Sequence, residues 1–245
     1  MLLFFIPGCK MKHFKHYSFD LWMTLIRSNP AFKLERTRFF HNHFNRKEKT
    51  LEQVGLIFRQ TDVMCNAINE VTGGNIHAEE MYLMVISAMN DYVFPLQEVD
   101  IKTLYKEMEG LVLEYLPVAY DAGTLQTLHQ IKASGISTCS LLSNTAFIKG
   151  STLRKVLKQL EMDQYFDFQL YSDEVNMSKP NRAFFQLMVK TAEHTRSEKL
   201  DKLSEIIHIG DNNRADIAGA EGAGISSMLI NSNHLTILNV LNQCR

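Results

Sequence analysis

His16-Tyr17-Ser18-Phe19-Asp20-Leu21-Trp22-Met23-Thr24-Leu25 decides how the rest of this chain is read. A mostly apolar run stops abruptly at a carboxylate, Asp20, and a hydroxyl, Thr24, follows four residues on. Further along, strand-like runs end in Ser143, shortly before Lys179, and in Asp211. Open parallel sheets bind ligands beyond the carboxyl ends of their strands, so polar residues placed at several strand ends converge on one point. That convergence predicts a catalytic site.

The segments around this stretch set the architecture. Asn29-Pro30 reads as a helix start, with Asn29 as N-cap and Pro30 in the first turn. Phe32, Phe39, Phe40 and Phe44 then recur near helical spacing. Thr50-Leu51-Glu52-Gln53 is a capping box that opens a second helix, and Gly73-Gly74 ends it. A third helix is expected from about Ala78 to Met89 and a fourth from Asp100 to Tyr115, with Met81, Met84 and Met89 as packing residues. No strand-like alternation interrupts residues 30–116.

From Pro117 onward strands and helices alternate, as in a parallel sheet covered on both faces. Strands are expected over Ile136–Leu142, Phe166–Tyr171, Glu205–Ile209 and Ile225–Ile230. Helices are expected after Asp121, from Ser151 to Leu160, after Asn181, and through the small residues Ala218, Gly219, Ala220 and Gly222. The predicted fold is therefore a Rossmann-like doubly wound α/β core, formed by 11–28 and 117–245, with an α-helical cap inserted over 29–116.

Composition narrows the function classes. The chain has 245 residues, 45% apolar and 22% charged, in the ordinary range of a globular protein. A net charge of −1 gives no field to hold nucleic acid or an anionic membrane. Cys9, Cys65, Cys139 and Cys244 are too scattered for a metal set or a disulfide framework, and a reducing cytoplasm suits them. Met1–Cys9 is apolar but too short to span a bilayer, and it lacks the basic start of a secretory signal. Its Ile6-Pro7-Gly8-Cys9 ending has a faint likeness to a lipoprotein cleavage site. Residues 1–10 are expected to be a disordered extension ahead of Met11.

Taken together, Asp20-x-x-x-Thr24, Ser143, Lys179-Pro180 and Gly210-Asp211-x-x-x-x-Asp216 resemble the four ordered motifs of the haloacid dehalogenase superfamily. Any one of them alone means little; four in order, each at an expected strand end or helix start, make a specific signal. The resemblance implies Asp20 as a nucleophile that forms an aspartyl-phosphate on a small phosphorylated metabolite. Lys179, Ser143 and Thr24 would hold the anion, with Asn144 a further candidate contact. Mg²⁺ would sit on Asp20, Asp211 and the backbone carbonyl of Trp22, and Asp216 would orient Lys179 or a metal-bound water. The residues themselves permit this chemistry, because a carboxylate nucleophile needs cations to offset the charge of a phosphate. Mg²⁺ suits an oxygen site with few carboxylates.

One departure stands out. Phosphatases of the superfamily usually carry a second aspartate two residues after the nucleophile, and here that position is Trp22. Indole has no proton that titrates near neutral pH. General acid–base help is worth about 10²–10⁴ in rate, so its loss should suppress esters with poor leaving groups. Three readings follow: a Mg²⁺-dependent hydrolase with an acid or base supplied by the cap, a metal-independent 2-haloacid dehalogenase, and a phospho-ligand-binding protein with weak or no turnover. Retention of Asp211 favours the metal-dependent one. Cap candidates for the missing group are His41, His43 and Arg46, while Arg27 and His208 read as a solvated loop residue and a buried neighbour.

Overall fold

The computed structural model describes residues 14–196 and 202–242, so Cys9, Cys244 and the expected extension over 1–10 lie outside the described residues. The chain opens with β1 (His16–Phe19), whose four side chains are all buried. Such a strand needs neighbours on both edges and layers on both faces. It has parallel partners on either side, β4 (Thr138–Ser143) and β6 (Ile206–Gly210), and the ladder runs on to Asp20, whose N–H donates to the Ile209 carbonyl at 2.9 Å. Leu21 and Leu25 then turn inward, and Met23 takes a φ of 60° in the tight loop between them.

Next come β2 (Ile26–Arg27), α1 (Pro30–Phe44), α2 (Leu51–Thr72), α3 (Ala78–Met89), α4 (Ile101–Glu114) and β3 (Val118–Ala119). β2 and β3 pair antiparallel, so the helical insert leaves and re-enters the core through a two-stranded ribbon. Strands of two residues are too short to show alternation, so no pattern along the chain announces them. The caps are those the sequence suggests: the Asn29 side chain accepts from Ala31 N–H at 3.0 Å, and Thr50 and Gln53 complete their box. Within the insert Phe40, Val54, Phe58, Met81, Tyr82, Met89 and Met108 form one cluster, which Phe147 enters from the core. Met84 packs against it from the edge.

The α2 terminus is also an anchor. Gly73 has φ 69°, and its carbonyl accepts from Ser178 N–H and Asn181 Nδ2, both at 3.0 Å. A β-carbon there would stand 2.9 Å from Asn181 Nδ2, so glycine is required by both conformation and proximity. The insert thus docks on the loop that carries Lys179.

The core continues with α5 (Thr124–Ala133), β4 (Thr138–Ser143), α6 (Gly150–Gln159), β5 (Phe168–Tyr171), α7 (Ser172–Val175), α8 (Arg182–Arg196), β6 (Ile206–Gly210), α9 (Gly219–Gly222) and β7 (Ser226–Leu229). Among the described residues these strands form a five-stranded parallel sheet in the order β5-β4-β1-β6-β7, an α/β architecture with helices on both sides. The expected strands are present with bounds displaced by one or two residues. Two local expectations need correction. Asp121 does not cap α5; its carboxylate accepts from Gly123 N–H at 2.6 Å in a turn two residues upstream. The small-residue helix begins as a π-helical turn, Asn213–Ala218, capped by Asn212. Close approach explains its composition, since a β-carbon on Gly219 would stand 3.1 Å from the Pro180 Cα.

Cys65 and Cys139 are buried free thiols. No helix among the described residues is long and apolar enough to cross a membrane.

Candidate active site

Three strand ends and one loop deliver the site. Asp20 leaves β1, the Ser143-Asn144 pair leaves β4, and Asp211 leaves β6, with Lys179 arriving from the loop before α8. Lys179 is the hub. Its Nζ donates to Asp20 Oδ1 at 2.7 Å and to Asp216 Oδ1 at 2.6 Å, and the side chain is 2% exposed. A buried ammonium is tolerated because two carboxylates face it. Burial alone would lower the Lys179 pKa, but Asp20 and Asp216 raise it, so the amine stays charged.

Asp216 is held by more than the lysine. Its Oδ1 also meets His208 Nε2 at 3.1 Å, and its Oδ2 accepts from Asn212 N–H at 3.0 Å. His208 Nδ1 in turn lies 2.9 Å from Ser18 Oγ. Burial pushes the His208 pKa down, so the neutral ring donates through Nε2 and accepts from Ser18 at Nδ1. Burial would raise the Asp216 pKa, yet Lys179 and His208 hold it well below the usual carboxylate range. His208, a buried neighbour by sequence, thus braces the residue that positions Lys179. Period-2 spacing was the available signal, since positions 206, 208 and 210 share one face of β6.

Asp20 and Asp211 behave oppositely. Burial pushes the Asp20 pKa up to about 7, with Asp216 and Asp211 adding to the rise and Lys179 opposing it. Burial, then Asp216, pushes Asp211 up to about 6. Ligand oxygens of Asp20, Asp211 and Asp216 lie within 4.8 Å of one another. Three carboxylates around one ammonium leave a surplus of negative charge, the chemical setting a divalent cation fits.

Three of the expected anion contacts are otherwise engaged. Thr24 Oγ donates to Asp20 Oδ2 at 3.0 Å, which fixes the carboxylate's second oxygen. Asn144 clamps the lysine loop: its Oδ1 accepts from Lys179 N–H at 2.7 Å and its Nδ2 donates to the Lys179 carbonyl at 3.0 Å. Ser143 is fully buried at the end of β4, and its hydroxyl donates to the Asn144 carbonyl at 3.2 Å.

A cavity of about 990 Å³ lies between this cluster and the insert. Asp20, Trp22, Asn144, Lys179, Asp211 and Asp216 line its core side. Lys33, Arg36, Phe58, Arg59 and Asp62 line its α1 and α2 side. Glu70 accepts from Asn212 Nδ2 at 3.1 Å, tying α2 to the loop after Asp211. The histidines nominated from the cap do not line the cavity. His43 stacks on Phe39 with centroids 4.3 Å apart, His41 contacts Asn42, and Arg46 pairs with Glu98 at the surface. His41 lies on another face of α1, His43 shares the phase of Phe32 and Arg36 but sits two turns beyond Arg36, and Arg46 lies past the helix end. Arg27, read as a solvated loop residue, lies on the cavity wall with Ser28.

A sequence profile of the haloacid dehalogenase-like hydrolases matches residues 14–224. The chain belongs to this family of hydrolases. It is 28% identical over 159 residues to the ribulose-1,5-bisphosphate 5-phosphatase of Halopiger xanaduensis, a match covering 64% of this chain and 61% of that protein. It is 31% identical over 85 residues to the pyrimidine 5'-nucleotidase YjjG of Escherichia coli, covering 34% of this chain and 35% of that one. The alignments thus span less than two thirds of either relative's length. Among solved structures, the putative HAD-hydrolase YfnB of Bacillus subtilis, bound to magnesium, superposes with a TM-score of 0.66 at 16% identity over 91% of each chain.

Proposed function

We propose that this haloacid dehalogenase-like hydrolase is a Mg²⁺-dependent phosphatase acting on a small phosphorylated metabolite, with Asp20 as the nucleophile. The observation that carries the reading is Lys179 Nζ bridging Asp20 and Asp216 on the floor of the cavity between core and insert. The two phosphatase-named relatives support the same substrate class, one acting on a sugar bisphosphate and one on nucleotides by name.

Attack by a carboxylate on phosphorus requires a fixed nucleophile and a neutralised target. Lys179 and Thr24 each hold one Asp20 oxygen, which limits its rotation. Asp216 and Asn144 hold Lys179 by its ammonium and its backbone, so the positive charge stays beside the reacting oxygen. Asp20, Asp211 and the Trp22 carbonyl would hold the Mg²⁺. When bound, the cation offsets carboxylate and phosphate charge and so lets the two approach. Leaving-group protonation cannot come from Trp22. Of the three carboxyls the insert places on the cavity wall, Glu52, Asp62 and Glu70, Asp62 is the one whose pKa burial raises.

The test is a panel of phosphorylated metabolites and aryl phosphates with Mg²⁺, run on wild type and Asp20→Asn. Release of phosphate by wild type, at least about 10³-fold above the variant, is the expected result for loss of a nucleophile. Equal background rates for both proteins would leave a binding protein. Halide release from 2-chloropropionate in the presence of a chelator would move the activity to dehalogenation.

A further inference from the structure

Among the described residues no carboxylate comes within ion-pair distance of Arg36, although the charge of Asp62 acts on it. The α1 stripe Phe32–Arg36–Phe40 is apolar except for this guanidinium, whose Cζ lies 4.0 Å from the Phe58 ring centroid, 4.9 Å from that of Phe147 and 5.3 Å from that of Phe32. Aromatic faces attract the cation, but they supply no oxygen acceptor to its N–H groups. Nε is inaccessible to solvent and makes no hydrogen bond. The hydroxyl of fully buried Tyr82 lies beside the guanidinium. Asp62, the nearest carboxylate, is engaged by Arg59 at 3.4 Å and by Asn66 Nδ2 at 3.4 Å. Burial pulls the Arg36 pKa down from its ordinary value, yet arginine remains charged in proteins.

A half-buried cation whose Nε is cut off from water without an acceptor is costly, and a ligand oxyanion would complete it. Arg36 lines the same cavity as Asp20 and Lys179. Its cage draws Phe32 and Phe58 from the insert and Phe147 from the loop after β4, so the cation is set where insert and core meet. We propose that Arg36 recognises a second oxyanion on the substrate, a carboxylate or a second phosphate, while the first phosphate lies at Asp20 and Lys179. The proposal rests on the phosphatase reading above and names a substrate class within it: small molecules with two anionic ends. Rigid fork geometry and the surrounding rings make Arg36 the residue that selects them.

Binding of non-hydrolysable phosphonates separates this proposal from turnover. Phenylphosphonate, 4-phosphonobenzoate and 1,4-phenylenediphosphonate are titrated calorimetrically into wild type, Arg36→Gln and Arg36→Lys with Mg²⁺. At least one of the two doubly anionic probes should bind wild type about tenfold or more tighter than phenylphosphonate, the low end for a desolvated hydrogen-bonded charge pair. Which one does so distinguishes carboxylate from phosphate. The advantage should fall below about threefold in Arg36→Gln and be only partly kept in Arg36→Lys, which retains charge without the fork. Equal affinity of wild type for all three probes overturns the proposal while leaving the phosphate site standing, as does an advantage that survives in Arg36→Gln. If none of the three binds wild type, the phosphate site itself is refuted and the proposal falls with it.

Discussion

A β-carbon on Gly210 would overlap the carboxyl group of Asp216, six residues further on; the two residues share one space at the end of β6. Gly210→Ala must therefore displace the carboxylate that holds Lys179. Turnover should fall by about 10²–10³, the range for losing one preorganised electrostatic contact. Gly222→Ala, where a β-carbon meets nothing within 4 Å, is the control and should keep wild-type rates. Similar kinetics for the two variants would show that Asp216 is not confined by Gly210.

Removing the hub should cost stability as well as activity. Lys179→Met leaves Asp20 and Asp216 buried without their shared cation. A decrease of about 3–5 kcal/mol in urea unfolding free energy is expected, as for other broken buried ion pairs. An unchanged midpoint and slope would show that the ammonium is not needed to balance these carboxylates.

Magnesium should stabilise the folded protein, because three carboxylates converge around one ammonium. At about 100 times its Kd the ion should add roughly 2.7 kcal/mol, read as a rise in Tm that EDTA reverses. Asp211→Asn should abolish most of that rise. A rise of the same size in the variant would place the ion elsewhere.

Trp22→Asp restores a carboxyl two residues after the nucleophile. If wild type lacks a proton donor there, the variant should gain on alkyl phosphates relative to aryl phosphates. The expected gain in that ratio is up to about 10²–10⁴, the worth of general acid–base help. The quantity to measure is kcat/KM for one ester of each kind; a ratio that does not move means the acid comes from elsewhere.

His16 gives a pH dependence of known sign. It is fully buried between Thr138 Oγ at 2.8 Å and Ser140 Oγ at 2.9 Å, and burial pulls its pKa down to about 3. Below about pH 6.5 the unfolded chain takes up a proton that the folded ring refuses, so the His16 contribution shrinks as pH falls toward 3. By pH 4 wild type should have lost about 3 kcal/mol through this group alone. His16→Asn lacks that loss, so the stability gap between the two proteins should narrow by about that amount from pH 7.5 to pH 4 in urea titrations. A constant gap would mean that the ring takes up its proton in the fold at the same pH as in the unfolded chain.

What the sequence determined by itself was the order of the parts. Alternation of strands and helices after Pro117, the caps at Asn29 and Thr50, and four polar strand ends are local signals, and local propensity reports them. Such signals named the residues of the cluster but not who bonds to whom. Only the tertiary structure assigned the Thr24 hydroxyl to Asp20, the Asn144 amide to the Lys179 backbone and His208 to Asp216. These bonds join residues brought together from different strands and loops, and hydrogen-bond geometry has no signature along the chain. The same holds on α1, where His41 and His43 looked chemically apt and Arg36 faces the cavity instead. Helical phase decides which side chains can point one way, but which face meets the core is set by packing against the second body of the fold.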